Sequence, residues 1–171
     1  MNIYLTARMK TAEEFYELYD KKYLNEPYDG NTLIIYGIGN TKPDDRYNIT
    51  NFLLDEGADA KVIDIYGNTL LHILLGQVEH DLEKTIELCK RLIGLGVDIN
   101  HKDNKNRLSI QWIINMVKYT DGELMPLYDL WFSQPAVDIN TKNAWGVSPL
   151  ELAQKIPFRK KLVEMMLENN R

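Results

Sequence analysis

The tetrapeptide Val-Asp-Ile-Asn occurs at residues 97–100 and again at 137–140, followed each time by a polar cluster and then an apolar run. Repetition at a fixed distance constrains a fold strongly, because periods of roughly 20–50 residues mark arrays of small supersecondary units. A third copy lies upstream in LLDEGADAKVIDIYGNTLLHIL, residues 53–74. The residue that closes an apolar helix is Gly57, Gly96 and Ala136 in turn, and the one that opens the next is Thr69, Leu108 and Ser148. The separation is twelve each time. From opener to closer, beginning at Thr32, it is 25, 27 and 28. One half of the unit is constant in length and the other accepts insertions. That predicts a structured hairpin joining helix pairs whose internal loops vary.

Residue chemistry points the same way. Gly57 and Gly96 stand where a helix ends and the chain must turn left-handed. Gly30, Gly67 and Gly146 stand two before an opener, with Asn106 as the tolerated substitute. Thr32, Thr69 and Ser148 carry hydroxyls suited to capping a helix N-terminus. In SPLE, Ser148 caps, Pro149 fits the first helical position and Glu151 completes a capping box. Leu71 and Leu74 then face the core.

These residues resemble the ankyrin repeat, whose signature is Gly-x-Thr-Pro-Leu-His-x-Ala followed by a second helix ending in Gly-Ala-Asp-Val-Asn. The matching segments are GNTLLHIL (67–74), GVSPLELA (146–153), LLDEGADA (53–60), LIGLGVDIN (92–100) and PAVDIN (135–140). The resemblance implies an all-α solenoid of helix-turn-helix pairs joined by β-hairpin-like loops. Four repeats are expected, at about 29–63, 64–102, 103–142 and 143–171, as one continuous domain. The first and third are degenerate. The openers step by 37, 39 and 40 residues, against about 33 in the family, so the extra residues fall between the helices of a pair. Asn169 is the expected left-handed cap of the last repeat. Residues 1–28 are expected to supply an N-terminal capping helix, begun by a capping box at Thr11 and Glu14 with Phe15, Leu18 and Tyr19 behind it.

Composition excludes several classes. A chain of 171 residues, 44 % hydrophobic and 26 % charged, is long enough to bury a core. Its net charge of −5 and pI near 5.2 argue against a nucleic-acid surface. The single cysteine, Cys89, sits among Ile86, Leu88, Leu92 and Ile93 at helical spacing, which predicts a buried small hydrophobe. The N-terminus lacks a signal-peptide core, and the stretch Ile65 to Val78 is too short and polar to span a bilayer. A cytoplasmic monomer with no membrane association is expected.

No chemistry emerges from the motifs. His72 holds the family's histidine position, where the ring bonds neighbouring turns. His80 and His101 have no second ligand at metal spacing. Asp59, Asp98 and Asp138 recur at one repeat position, which predicts turn duties rather than catalysis. GIGNTK (37–42) lacks the second half of a phosphate loop. Arg159, Lys160 and Lys161 are expected on a solvated helix face. No catalytic residue, metal or cofactor is expected.

Function is then expected to be recognition. The resemblance implies a protein partner, held by hairpin tips and the concave helix face. Interface hot spots favour Trp, Tyr and Arg. Tyr66 and Trp145 each precede a turn glycine, with Lys102, Lys105 and Lys142 at the tips beside them. Gln77, Lys118 and Gln154 follow the first helices and complete the expected contact set, while Trp112, Trp131 and Phe132 are expected in the core. The primary expectation is a non-catalytic protein-binding module. The alternative is a stoichiometric inhibitor, such as an immunity protein that neutralises a toxin.

Overall fold

The computed structural model describes residues 1–170; Arg171, the end of the fourth expected repeat, lies outside them. The chain is all-helical: no strand occurs among the described residues, and only two isolated bridges, Tyr28 with Asn31 and Ile63 with Thr69, are of β type. It divides into two compact units, Met1–Val97 and Asp98–Arg171.

The first unit holds α1 (Ile3–Met9), α2 (Ala12–Leu18), a 3₁₀ turn (Lys21–Tyr23), α3 (Leu33–Ile38), α4 (Pro43–Asp55), α5 (Leu70–Leu75) and α6 (Leu82–Gly94). Helix α1 packs on α3 and α3 on α5, while α2 packs on α4 and α4 on α6. The short file is buried nearly all round: Leu70, Leu71, His72, Leu74 and Leu75 of α5 are all inside. Each fully buried leucine contributes roughly 2 kcal/mol of transfer free energy. In α6 only Thr85, Leu88, Cys89 and Leu92 are buried, one stripe at helical spacing. Cys89 is fully buried and its thiol is pushed far above its ordinary pKa, so it packs as the small hydrophobe expected.

The N-terminal segment departs from expectation. It is a helix pair, not one capping helix, because Asn2 caps α1 by accepting the Tyr4 and Leu5 N–H groups at 2.9 and 3.3 Å. Ile3, Tyr4, Thr6 and Ala7 then bury one side of α1. The capping box of α2 forms as expected, with Thr11 N–H donating to Glu14 Oε2 at 3.0 Å and Glu14 N–H to Thr11 Oγ1 at 3.2 Å.

The second unit holds α7 (Ile110–Ile114), α8 (Asp121–Phe132), α9 (Pro149–Gln154) and α10 (Lys160–Asn169). Here α7 packs on α9, α8 on α10, and α9 on α10. Trp131 is buried in this core. Ser148 and Glu151 form the expected box on α9. Asn169 instead stays helical, and Asn170 follows with φ −94°.

The constant connector has the predicted backbone. Gly57, Gly96 and Ala136 have φ of 96°, 91° and 54°, and Gly30, Gly67, Asn106 and Gly146 have 77°, 79°, 56° and 75°. After α4, Ala58 N–H reaches Leu53 O at 2.9 Å and Gly57 N–H reaches Leu54 O at 3.1 Å. After α6, Val97 N–H reaches Leu92 O at 3.1 Å and Gly96 N–H reaches Ile93 O at 2.9 Å. These are paired Schellman closures. Asp59, Asp98 and Asp138 each accept the N–H two residues on, at 2.8, 2.8 and 3.0 Å, so the acidic column serves the turns. Two openers depart from the expected cap: α7 begins behind Ser109 rather than Leu108, and Thr32 does not cap α3. The Thr32 hydroxyl makes no capping bond and has no partner among the described residues.

Two buried arginines hold the lengthened inter-helix loops. Arg46 in α4 donates to the carbonyls of Asn40 (2.8 Å), Thr41 (3.4 Å) and Glu79 (2.9 Å). Arg159 donates to those of Ile114 (3.0 Å), Met116 (2.7 Å) and Tyr119 (3.0 Å). The expectation that Arg159 lies on a solvated face is wrong: its side chain is 0 % exposed, and only Lys160 and Lys161 face solvent. A planar guanidinium with five donors can satisfy several loop carbonyls at once, which offsets the cost of burying the charge.

Candidate interaction surface

One surface of the second unit gathers recognition-type side chains, on the turns at 103–106 and 143–146 and on α7 and α9. Each turn is built by one side chain. Asp103 Oδ1 accepts Lys105 and Arg107 N–H at 2.8 Å each, and Asn143 Oδ1 accepts Trp145 and Val147 N–H at 3.0 and 3.2 Å. Ala144 N–H donates to Lys105 O at 2.9 Å and so aligns the two tips. That alignment sets Lys105 Nζ 5.2 Å from the centre of the Trp145 ring, a cation–π distance. Trp145 remains 61 % exposed, so its ring stands into solvent rather than shielding the hairpin.

A groove of about 280 Å³ runs beneath this ring, between Trp112 on α7, Leu152 on α9 and Lys155 just after that helix. Arg107 crosses its wall, with the guanidinium 4.8 Å from the Trp112 ring centre and Nε 2.6 Å from Asp103 Oδ2. Burial pushes the Asp103 carboxyl up, but the backbone N–H groups of Arg107 and Lys105 and the Arg107 guanidinium outweigh it and hold the group below its ordinary value. Asp103 is therefore ionised at neutral pH and orients Arg107. Gln111, 4 % exposed, also lines the groove, and its buried Nε2 has no acceptor among the described residues. On the rim, Lys142 pairs with Glu151 at 3.3 Å. Glu151 is lowered first by the Ser148 N–H it accepts and then by Lys142.

The expected contact residues are distributed unevenly. Lys105 and Trp145 meet here, with Lys142 at the same tip. Lys102 is exposed; burial raises the Asp138 carboxyl, but the Thr141 hydroxyl, the backbone donors and then the charge of Lys102 outweigh it and hold the group below its ordinary value. Lys118 lies instead on the 115–120 loop, in a depression it lines with Val117 and Phe158, and Gln154 lines another with Ile156 and Pro157. Tyr66 belongs to the first unit, 64 % exposed on the turn whose Asp64 accepts its N–H at 2.8 Å. Gln77, also in the first unit, turns its amide back to Ile73 O at 2.9 Å.

Arg107, Trp112 and Lys155 are not among the residues that the sequence singles out for contact. Trp112 is not a core ring as expected but only half-buried. In IQWII, residues 110, 111, 113 and 114 are buried, and that stripe leaves 112 on the open side. The helical period carries that signal.

Among the described residues no three His, Cys, Asp or Glu side chains gather as a metal site would require, and no helix is long and apolar enough to cross a membrane. No family model and no curated protein matches the chain. It is similar in structure to the crystal structure of a functionally unknown protein from Leptotrichia buccalis, with a TM-score of 0.83 and 28 % sequence identity. The alignment covers 98 % of this chain and 92 % of that one.

Proposed function

We propose that the chain is an ankyrin-like stack of helix pairs that binds a protein partner without catalysing a reaction. The observation that carries this reading is the exposure of one large aromatic side chain just before the turn glycine in each unit, Tyr66 at 64 % and Trp145 at 61 %. An indole or phenol held in solvent on a rigid turn loses little conformational freedom when a partner covers it. The turns support the reading too, because their backbone is fixed by Asp64, Asp103 and Asn143 before any partner arrives.

The test is affinity capture from the native host followed by mass spectrometry, with the wild-type chain and a Tyr66→Ala/Trp145→Ala variant as baits. A partner retained in stoichiometric amount by the wild type should weaken on the variant by about 2 kcal/mol or more. The melting temperature should stay nearly unchanged. Equal capture by both baits, or a collapse of the variant's melting temperature, would remove the aromatic tips from the function.

A further inference from the structure

Charge is divided unequally along the chain. Residues 1–97 carry 16 acidic and 10 basic side chains, and residues 98–171 carry 9 and 10. The acidic surplus of the whole protein therefore belongs to the first unit. Within the second, the lining of the groove under Trp145 includes no carboxylate, two indoles and two cations, Arg107 and Lys155. Lys105 adds a third cation above the Trp145 ring. No ion-pair partner of Lys155 occurs among the described residues.

We infer that this groove takes an acidic segment of a protein partner, anchored by one large apolar side chain between Trp112 and Trp145. The inference rests on the binding-module reading and names the chemistry of its partner. A dry cavity of roughly 150 Å³ accommodates benzene, so a groove of about 280 Å³ admits one aromatic or long aliphatic side chain with part of its backbone. The anchor gains burial against indole and Leu152, while carboxylates on either side meet Lys155 and Lys105; Arg107, already paired with Asp103, forms the wall. A basic segment would place cations against these two. A nucleic acid could stack a base on the indoles, but its regularly spaced phosphates would find only a few local cations.

The experiment pans a random peptide display library on the full chain at low salt, then measures the selected peptides by fluorescence anisotropy. Selected peptides are expected to carry a Trp, Phe, Leu or Met flanked by two or more Asp or Glu. Trp145→Ala and Lys155→Glu should each weaken them by about tenfold or more, and added salt should weaken them further. Both side chains are exposed, so thermal melts of the two variants should overlay the wild type. A Lys-for-Glu swap in the peptide should recover binding to Lys155→Glu. Neutral or basic selections, acidic selections indifferent to both variants, or no selection at all would overturn the proposal. So would competition by a single-stranded oligonucleotide, or self-association of the chain that Lys155→Glu abolishes. A partner captured from the host that binds Lys155→Glu undiminished would sink the groove and leave the binding-module reading standing. Failure of both capture and panning would remove both.

Discussion

Asp103 and Asn143 do the same work in two turns of the second unit, each accepting through Oδ1 the backbone N–H groups two and four residues ahead. The amide oxygen of Asn143 manages this without a charge. The charge of Asp103 is therefore needed only for Arg107, whose Nε lies 2.6 Å from Oδ2.

Asp103→Asn should accordingly cost about 1 kcal/mol, the loss of the bond from a partly exposed guanidinium to a buried carboxylate. Asp103→Ala should cost about 2 kcal/mol or more, since it leaves two backbone donors without an acceptor. Urea denaturation measures both. The pH response follows from the lowered folded pKa of Asp103. Its contribution is present above the unfolded value of about 4 and is lost as pH falls through the folded one. Asp103→Asn should remove that part of the acid sensitivity. Equal costs for the two variants would contradict the turn's construction.

Ala136 has φ 54° but does not close α8 as expected: it stands four residues beyond Phe132, the last residue of that helix, whereas Gly57 and Gly96 directly follow the caps of α4 and α6. An L-residue in this region is strained by roughly 1–2 kcal/mol, and glycine's extra unfolded-state freedom returns up to about 1 kcal/mol of that. Ala136→Gly should therefore stabilise by about 0.5 kcal/mol, seen as a higher urea midpoint at unchanged slope. The Ala136 carbonyl, which accepts Asn100 Nδ2 at 2.7 Å, is untouched by the change. A destabilised variant would show that the alanine methyl contributes packing.

What is legible in the sequence follows the range of each interaction. A left-handed turn is a local steric demand, so Gly67, Asn106 and Gly146 announce it by residue type. Asp59, Asp98 and Asp138 bond within their own turns and announce themselves equally. Thr32 shows where local reading stops: a hydroxyl in the right register still needs the first-turn N–H within reach, and here it makes no capping bond. Helix α1 is hidden because a seven-residue segment offers too few apolar repeats to show a period. Arg159 misleads because its acceptors lie at residues 114–119, some forty residues away. Only half of the groove is legible, for the same reason. The tip residues Lys105 and Trp145 stand beside turn signals, whereas Arg107, Trp112 and Lys155 converge only through the packing of α7 on α9.

Arg159→Met keeps the stem of the side chain and removes every donor. Three loop carbonyls then lose their partner inside the protein, and a loss of about 3 kcal/mol is expected. Arg159→Lys should recover little, because a single ammonium cannot replace the fork that reaches Ile114, Met116 and Tyr119. Amide hydrogen exchange should speed up in the loop at 115–120 in both variants. Wild-type-like stability of the lysine variant would mean that charge, not geometry, holds the loop.

His80 supplies the last prediction, through the loop that follows α5. Its Nε2 lies 2.9 Å from the Gln77 carbonyl and its Nδ1 lies 3.0 Å from Thr85 Oγ1. A carbonyl can only accept, so the neutral ring carries its proton on Nε2 and leaves Nδ1 to accept from the hydroxyl. Burial lowers the pKa from 6.5 to about 4; the Gln77 bond works against this, and Arg46 adds to it. The folded state thus binds the proton less readily than the unfolded chain. Stability from His80 is complete above the unfolded value and declines as pH falls toward the folded one. Each tenfold difference in proton affinity between the two states is worth about 1.4 kcal/mol, so the loss is at most about 3 kcal/mol by pH 4. His80→Gln should flatten the difference between its own stability and that of the wild type across this window. Urea midpoints from pH 7 to 4.5 measure it, and an NMR titration of the ring with a midpoint near 6.5 would contradict it.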